Sequence, residues 1–73
     1  MQDTIFVDRI PNAVTWNEFG YQVTMHKENG LNKGETVLAN LCGGNYGKAL
    51  CAAVVKHAME SHMIENVIYS YSE

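Results

Sequence analysis

The chain has 73 residues, 47% of them hydrophobic and 18% charged, with five basic against eight acidic residues and a net charge of −3. That length holds one domain and leaves no room for an enzyme with its own nucleotide domain. The apolar fraction excludes a disordered tail, and one proline with six glycines excludes collagen-like and low-complexity chains.

Residues 4–8, Thr-Ile-Phe-Val-Asp, are β-rich and predict a first strand, which Ile10-Pro11-Asn12 stops because proline cannot donate to a ladder. Residues 11–17 read as a loop with one turn at most. Thr15-Trp16-Asn17-Glu18 has the spacing of a helix capping box, but Gly20 and the alternation after it deny a helix any length. Over 19–26, Phe19, Tyr21, Val23 and Met25 alternate with Gly20, Gln22, Thr24 and His26. Period two with one apolar side is the mark of a strand in an antiparallel sheet. Residues 27–35 form a polar loop turning at Asn29-Gly30, and a strand over 36–42 follows with Val37, Ala39 and Leu41 on one side.

Gly43-Gly44-Asn45 breaks that strand, and Asn45 is expected to cap a helix over 46–62. Its apolar stripe, Leu50, Cys51, Val54, Val55, Ala58 and His62, faces the sheet. Ala49, Ala52, Ala53, Lys56 and Glu60 lie opposite. Those small residues suit either close approach of another element or simple helix propensity. Residues 66–71 make the last strand. The order is β-β-β-α-β, an α+β domain with one helix on an antiparallel or mixed sheet. One helix leaves most of a sheet face uncovered, with Phe6, Tyr69 or Tyr71 facing it according to register. A homodimer or an obligatory partner is therefore expected.

The basic residues Arg9, Lys27, Lys33, Lys48 and Lys56 are scattered, whereas neutralising a run of phosphates needs them clustered. Direct nucleic-acid binding is not expected. A mildly acidic surface suits a basic protein partner, and it equally keeps a small protein soluble. No basic leader is visible, and no apolar run approaches the about 18 residues of a membrane span. The chain therefore reads as cytoplasmic, with Cys51 packed and Cys42 free. A Cys42–Cys51 bridge stays open on sequence alone. His57 and His62, five residues apart, lie about 140° from each other on a helix and cannot share a metal. No catalytic constellation and no cofactor are expected from the spacing.

Gly43-Gly44-Asn45-Tyr46-Gly47-Lys48 has the strand–glycine–helix layout of a phosphate-binding loop, but Cys42 stands where a glycine is required and Ala49 where Ser or Thr is required. An anion nest at the helix start and a plain flexible turn both fit. Tyr46-Gly47-Lys48-Ala49-Leu50, with the helix and strand that follow, resembles the acetyl-coenzyme A segment of the GNAT acetyltransferases. Gly47 and Ala49 match its last two fixed positions, and Gly44 departs from it. That resemblance implies a truncated acetyltransferase-like domain holding the cofactor's pyrophosphate on the Gly43–Ala49 turn.

Over residues 4–71 the size, acidity, strand–hairpin–helix–strand order and Ala-rich helix resemble small phage-encoded inhibitors of the anti-CRISPR type. The resemblance implies a non-enzymatic protein, in the host cytoplasm, that covers the basic nucleic-acid-binding surface of a CRISPR–Cas effector complex. The contacts expected for such an inhibitor or adaptor are Trp16 and Glu18 on one loop, Glu28, Asn29 and Glu35 at the hairpin tip, and Tyr46 at the helix start. Trp16 is either an exposed anchor or a plug reaching under the sheet.

Overall fold

A computed structural model gives the fold and describes residues 3–11, 19–30 and 33–70. The elements are β1 (Thr4–Pro11), β2 (Phe19–Lys27), β3 (Gly34–Leu41), α1 (Gly44–His62) and β4 (Asn66–Tyr69). They form one four-stranded sheet in the order β3-β2-β1-β4 with the helix on one side. The sheet is mixed. β1 pairs with β2 and β2 with β3 antiparallel, while β4, returning through α1, lies parallel to β1. This is the expected α+β architecture.

The core follows from strand alternation. Tyr21, Val23 and Met25 of β2 are buried on one side, and Val7 and Ile5 of β1 stand opposite Val23 and Met25 on that same side. Cys51, Val55 and Ala58 of α1 close over them. The helix lies chiefly over β2 and makes its lesser contacts with β3 and β1. The predicted stripe therefore holds, with Leu50, Val54 and His62 at its half-buried margins.

Several boundaries differ from the sequence expectation. β1 runs on to Pro11 instead of stopping at residue 8. β4 pairs only with Thr4–Val7, so beyond Val7 a proline interrupts no ladder on that side. The second hairpin strand begins at Gly34, and the last strand ends at Tyr69, with the Ser70 N–H adding one further bond to the Val7 carbonyl at 2.9 Å. Asn45 is not the helix cap. Gly43 takes that position without a side-chain bond, and Asn45 lies exposed inside the first turn. Gly44, at φ +75°, makes the turn out of β3, a backbone state that glycine adopts without strain.

β3 departs most from its pattern. A register shift opposite Val23/Thr24 leaves Leu38 as an extra residue. A bulge of this kind resets the alternation. Ala39 and Leu41 stay with the helix side, whereas Val37 pairs with Thr24 on the far side and is 50% exposed.

The helix sits close to the sheet because position 47 has no side chain. A Cβ on Gly47 would fall on the Cys42 carbonyl, a backbone atom that cannot step aside. At the other end Met63 closes the helix in the left-handed region at φ 56°, and its N–H reaches the Met59 carbonyl. Ile64 then plugs the core and the chain enters β4. Gly47→Ala should lower folding stability by about 2 kcal/mol or more, read by urea denaturation. An effect under about 0.5 kcal/mol, the range of ordinary surface substitutions, would show that this contact does not set the helix position.

Candidate functional site

Two surfaces remain after the core is built. The first is the end of the molecule at the hairpin tip. Asp3, just before β1, accepts the backbone N–H of Glu28 on Oδ1 at 2.8 Å, which ties the tip to the start of β1. Because β4 is parallel to β1, with Asn66 opposite Thr4, the turn after α1 arrives at the same end. Asp3, Glu28, Asn29, Glu65 and Asn66 then share an open depression of about 360 Å³, floored by Ile64 and edged by Met63. Among the described residues no lysine or arginine lines it. Lys27 and Lys33 stand nearby on the hairpin. Met63 is 91% exposed there.

The second is the sheet face away from α1, on which Thr4 and Thr24 are buried at 2% and 3% exposure and Val37 and Ile68 are exposed. Register places its residues in three rows across the strands. Val37, Thr24, Phe6 and Ile68 form the middle row, one residue from each strand. On one side lie Glu35, His26, Thr4 and Asn66; on the other lie Asn40, Gln22 and Asp8. The flanking rows are knitted laterally. Glu35 Oε2 is 3.6 Å from His26 Nε2, Asn66 Nδ2 donates to Thr4 Oγ1 at 2.9 Å, and Gln22 Nε2 donates to Asn40 Oδ1 at 3.1 Å. Phe6 and His26 meet edge to face, with centroids 4.8 Å apart. Tyr69 stands opposite Val7, on the helix side, so of the aromatics expected on the far face Phe6 is there and Tyr69 is not. Tyr71 lies outside the described residues.

The residues expected at a partner surface separate. Glu28 and Asn29 are exposed together at the acidic end, and Glu35 sits on β3 beside His26. Tyr46, 72% exposed, stands at the start of α1, at the opposite end of the sheet. Trp16 and Glu18 lie outside the described residues. Asp3, Glu65 and, of the middle row, Val37, Thr24 and Ile68 were not expected from sequence. The only signal for Asp3 and Glu65 is the parallel β1–β4 pairing, which sequence periodicity does not carry.

Other chemistry is sparse. Ser61 Oγ lies 3.3 Å from His57 Nε2, an exposed contact one helical turn apart. His57 and His62 border one groove of about 420 Å³ between α1 and β3, floored by Leu38, Ala39, Val54 and Ala58. No group of three His, Cys, Asp or Glu side chains able to hold a metal occurs among the described residues, and no helix of theirs is long and apolar enough to cross a membrane. Gly47 abuts the Cys42 carbonyl, so packing alone accounts for the glycine that resembles the acetyltransferase loop.

Both thiols are unbridged. Burial pushes the Cys51 thiol up, and the neighbouring Cys42 adds to the shift. Since the thiolate is the reactive form, iodoacetamide at neutral pH should label the half-buried Cys42 and leave Cys51 unmodified until the chain is unfolded. Equal labelling of both in the native protein, read by peptide mass, would contradict this packing.

Compared with protein-family models, curated proteins and solved structures, the chain matches none of them.

Proposed function

We propose that the chain is a non-enzymatic protein-binding inhibitor or adaptor that presents its acidic end to a basic surface of a partner protein. The observation that carries this reading is the convergence of carboxylates from three separate segments, Asp3, Glu28 and Glu65, on one depression that no lysine or arginine lines among the described residues. A net charge of −3 on 73 residues points the same way. Carboxylates concentrated at one end steer a basic partner toward that end before contact. The exposed, flexible Met63 beside them supplies adaptable apolar contact once the surfaces meet. The finer reading is a phage-encoded protein occupying the nucleic-acid-binding surface of a host CRISPR–Cas nuclease complex. It rests on the resemblance in size, element order and composition, and a guide- or target-binding channel is the kind of basic surface the acidic end would fit.

The test compares the wild-type chain with Glu28→Lys/Glu65→Lys. Both positions are exposed, so the melting temperature should stay unchanged. Proteins that the wild type captures from a lysate are purified, and their association rates are measured. The double reversal should slow association about tenfold or more at low ionic strength. The difference should shrink as salt shortens the Debye length to about 8 Å. Equal rates for both chains at low salt would overturn the reading.

A further inference from the structure

We propose that Asn29 is a modification site: the Asn29-Gly30 pair at the hairpin tip closes to a succinimide, and hydrolysis turns the Asn29 carboxamide into a carboxylate. The chain has seven asparagines, and only Asn29 is followed by glycine. The reaction joins the side chain of one residue to the backbone of the next. Hydroxide takes the proton of the Gly30 amide, and the amide nitrogen attacks Asn29 Cγ. A C–N bond forms to the backbone, the bond from Cγ to the carboxamide nitrogen breaks, and that nitrogen takes a proton from water and leaves as ammonia. Water then opens the five-membered imide. Opening at the former side-chain carbonyl gives aspartate, and opening at the main-chain carbonyl gives isoaspartate. Either way one water is consumed, one ammonia is released, and nothing is oxidised or reduced. A side chain on the following residue crowds the attack, and glycine has none.

The tip leaves this reaction unhindered. Asn29 and Gly30 are both exposed, in the bend just past β2. Gly30 has φ +102°, and a Cβ built on it would meet nothing within 4 Å, so the backbone has room to turn its nitrogen onto the neighbouring side chain. Among the described residues no hydrogen bond engages the Asn29 side chain or the Gly30 N–H. The bonds that do hold the tip, Glu28 N–H to Asp3 at 2.8 Å and Lys33 N–H to the Gly30 carbonyl at 3.3 Å, involve none of the reacting atoms. The other described asparagines are placed differently. Asn40 Oδ1 accepts from Gln22, Asn66 Nδ2 donates to Thr4, and Asn45 lies in the first turn of α1. Leu41, Val67 and Tyr46 follow them, each with a bulky side chain on a backbone that a strand ladder or a helix holds. Asn29 also lines the depression with Asp3, Glu28 and Glu65. The product is therefore a fourth carboxylate at that end, and the net charge goes from −3 to −4. A stronger field at the acidic end follows; its use in partner binding rests on that end being a contact surface, whereas the modification does not.

The experiment needs no partner. The full chain is incubated at neutral and at alkaline pH, and each asparagine is followed by peptide mass, with fragmentation separating aspartate from isoaspartate. Asn29 should convert at least about tenfold faster than Asn40, Asn45 or Asn66, an activation difference of about 1.4 kcal/mol. Its rate should rise with pH and should be as high in the folded chain as in urea. Gly30→Ala should slow the conversion by the same factor. If circular dichroism shows that this substitution unfolds the chain, Asn29→Gln replaces it; its longer side chain would have to close a six-membered ring, so position 29 should stay unmodified. Asn29→Asp should elute with the aspartate product of the wild type on anion exchange. Equal rates at Asn29 and the other asparagines would overturn the proposal, as would an unchanged rate in Gly30→Ala. Conversion more than about tenfold slower in the folded chain than in urea would overturn it too, because the tip would then hold the carboxamide away from the Gly30 nitrogen.

Discussion

The packing of α1 on Ile5, Val7, Val23 and Met25 is the contact from which the rest of the molecule follows. Gly47 lets the first turns of the helix rest on the end of β3, and this height above the sheet allows Cys51, Val55 and Ala58 to reach the central strands. A single helix fills one side of four strands; on the opposite side Thr4 and Thr24 are buried while Val37 and Ile68 stay exposed. The same helix carries the chain back to the start of β1. That return makes β4 parallel to β1 and gathers Asp3, Glu28 and Glu65 at one end.

Two surfaces thus arise from one packing event, and they differ in physics. The acidic end acts at a distance, through a field that salt screens. The exposed Val37 and Ile68 of the far face act only in contact, through apolar area. The two surfaces meet at Asn66, which borders the acidic depression and stands in the row of Thr4, His26 and Glu35.

Much of the fold is legible in the sequence because local periodicity encodes it. The alternation of Tyr21, Val23 and Met25 and the helical stripe of Cys51, Val55 and Ala58 each identify an element and its buried side. The order β-β-β-α-β follows from them. The bulge at Leu38 is not legible, since the spacing of Val37, Ala39 and Leu41 is that of an unbroken strand; only pairing with β2 moves Val37 to the far side. The cap also misleads. Asn45 has the right chemistry, but the close approach of Gly47 to Cys42 starts the helix earlier. The candidate site is less legible than the fold. Glu28 and Asn29 could be placed at the tip from the Asn-Gly turn, whereas Asp3 and Glu65 join them only through a parallel pairing between residues far apart in sequence.

The central claim is that the core lies on the helix side of the sheet, with Val37 outside it on the far side. The most direct measurement is the same substitution on each side: Val23→Ala, fully buried under the helix, against Val37→Ala, half-exposed on the far face. Urea denaturation at low protein concentration, where self-association is absent, should show a loss of about 2–3 kcal/mol for Val23→Ala, from the lost burial and the cavity left behind. Val37→Ala should lose under about 0.5 kcal/mol, as surface changes do. Losses of equal size at the two positions would mean that both faces belong to the core, and the account would fail.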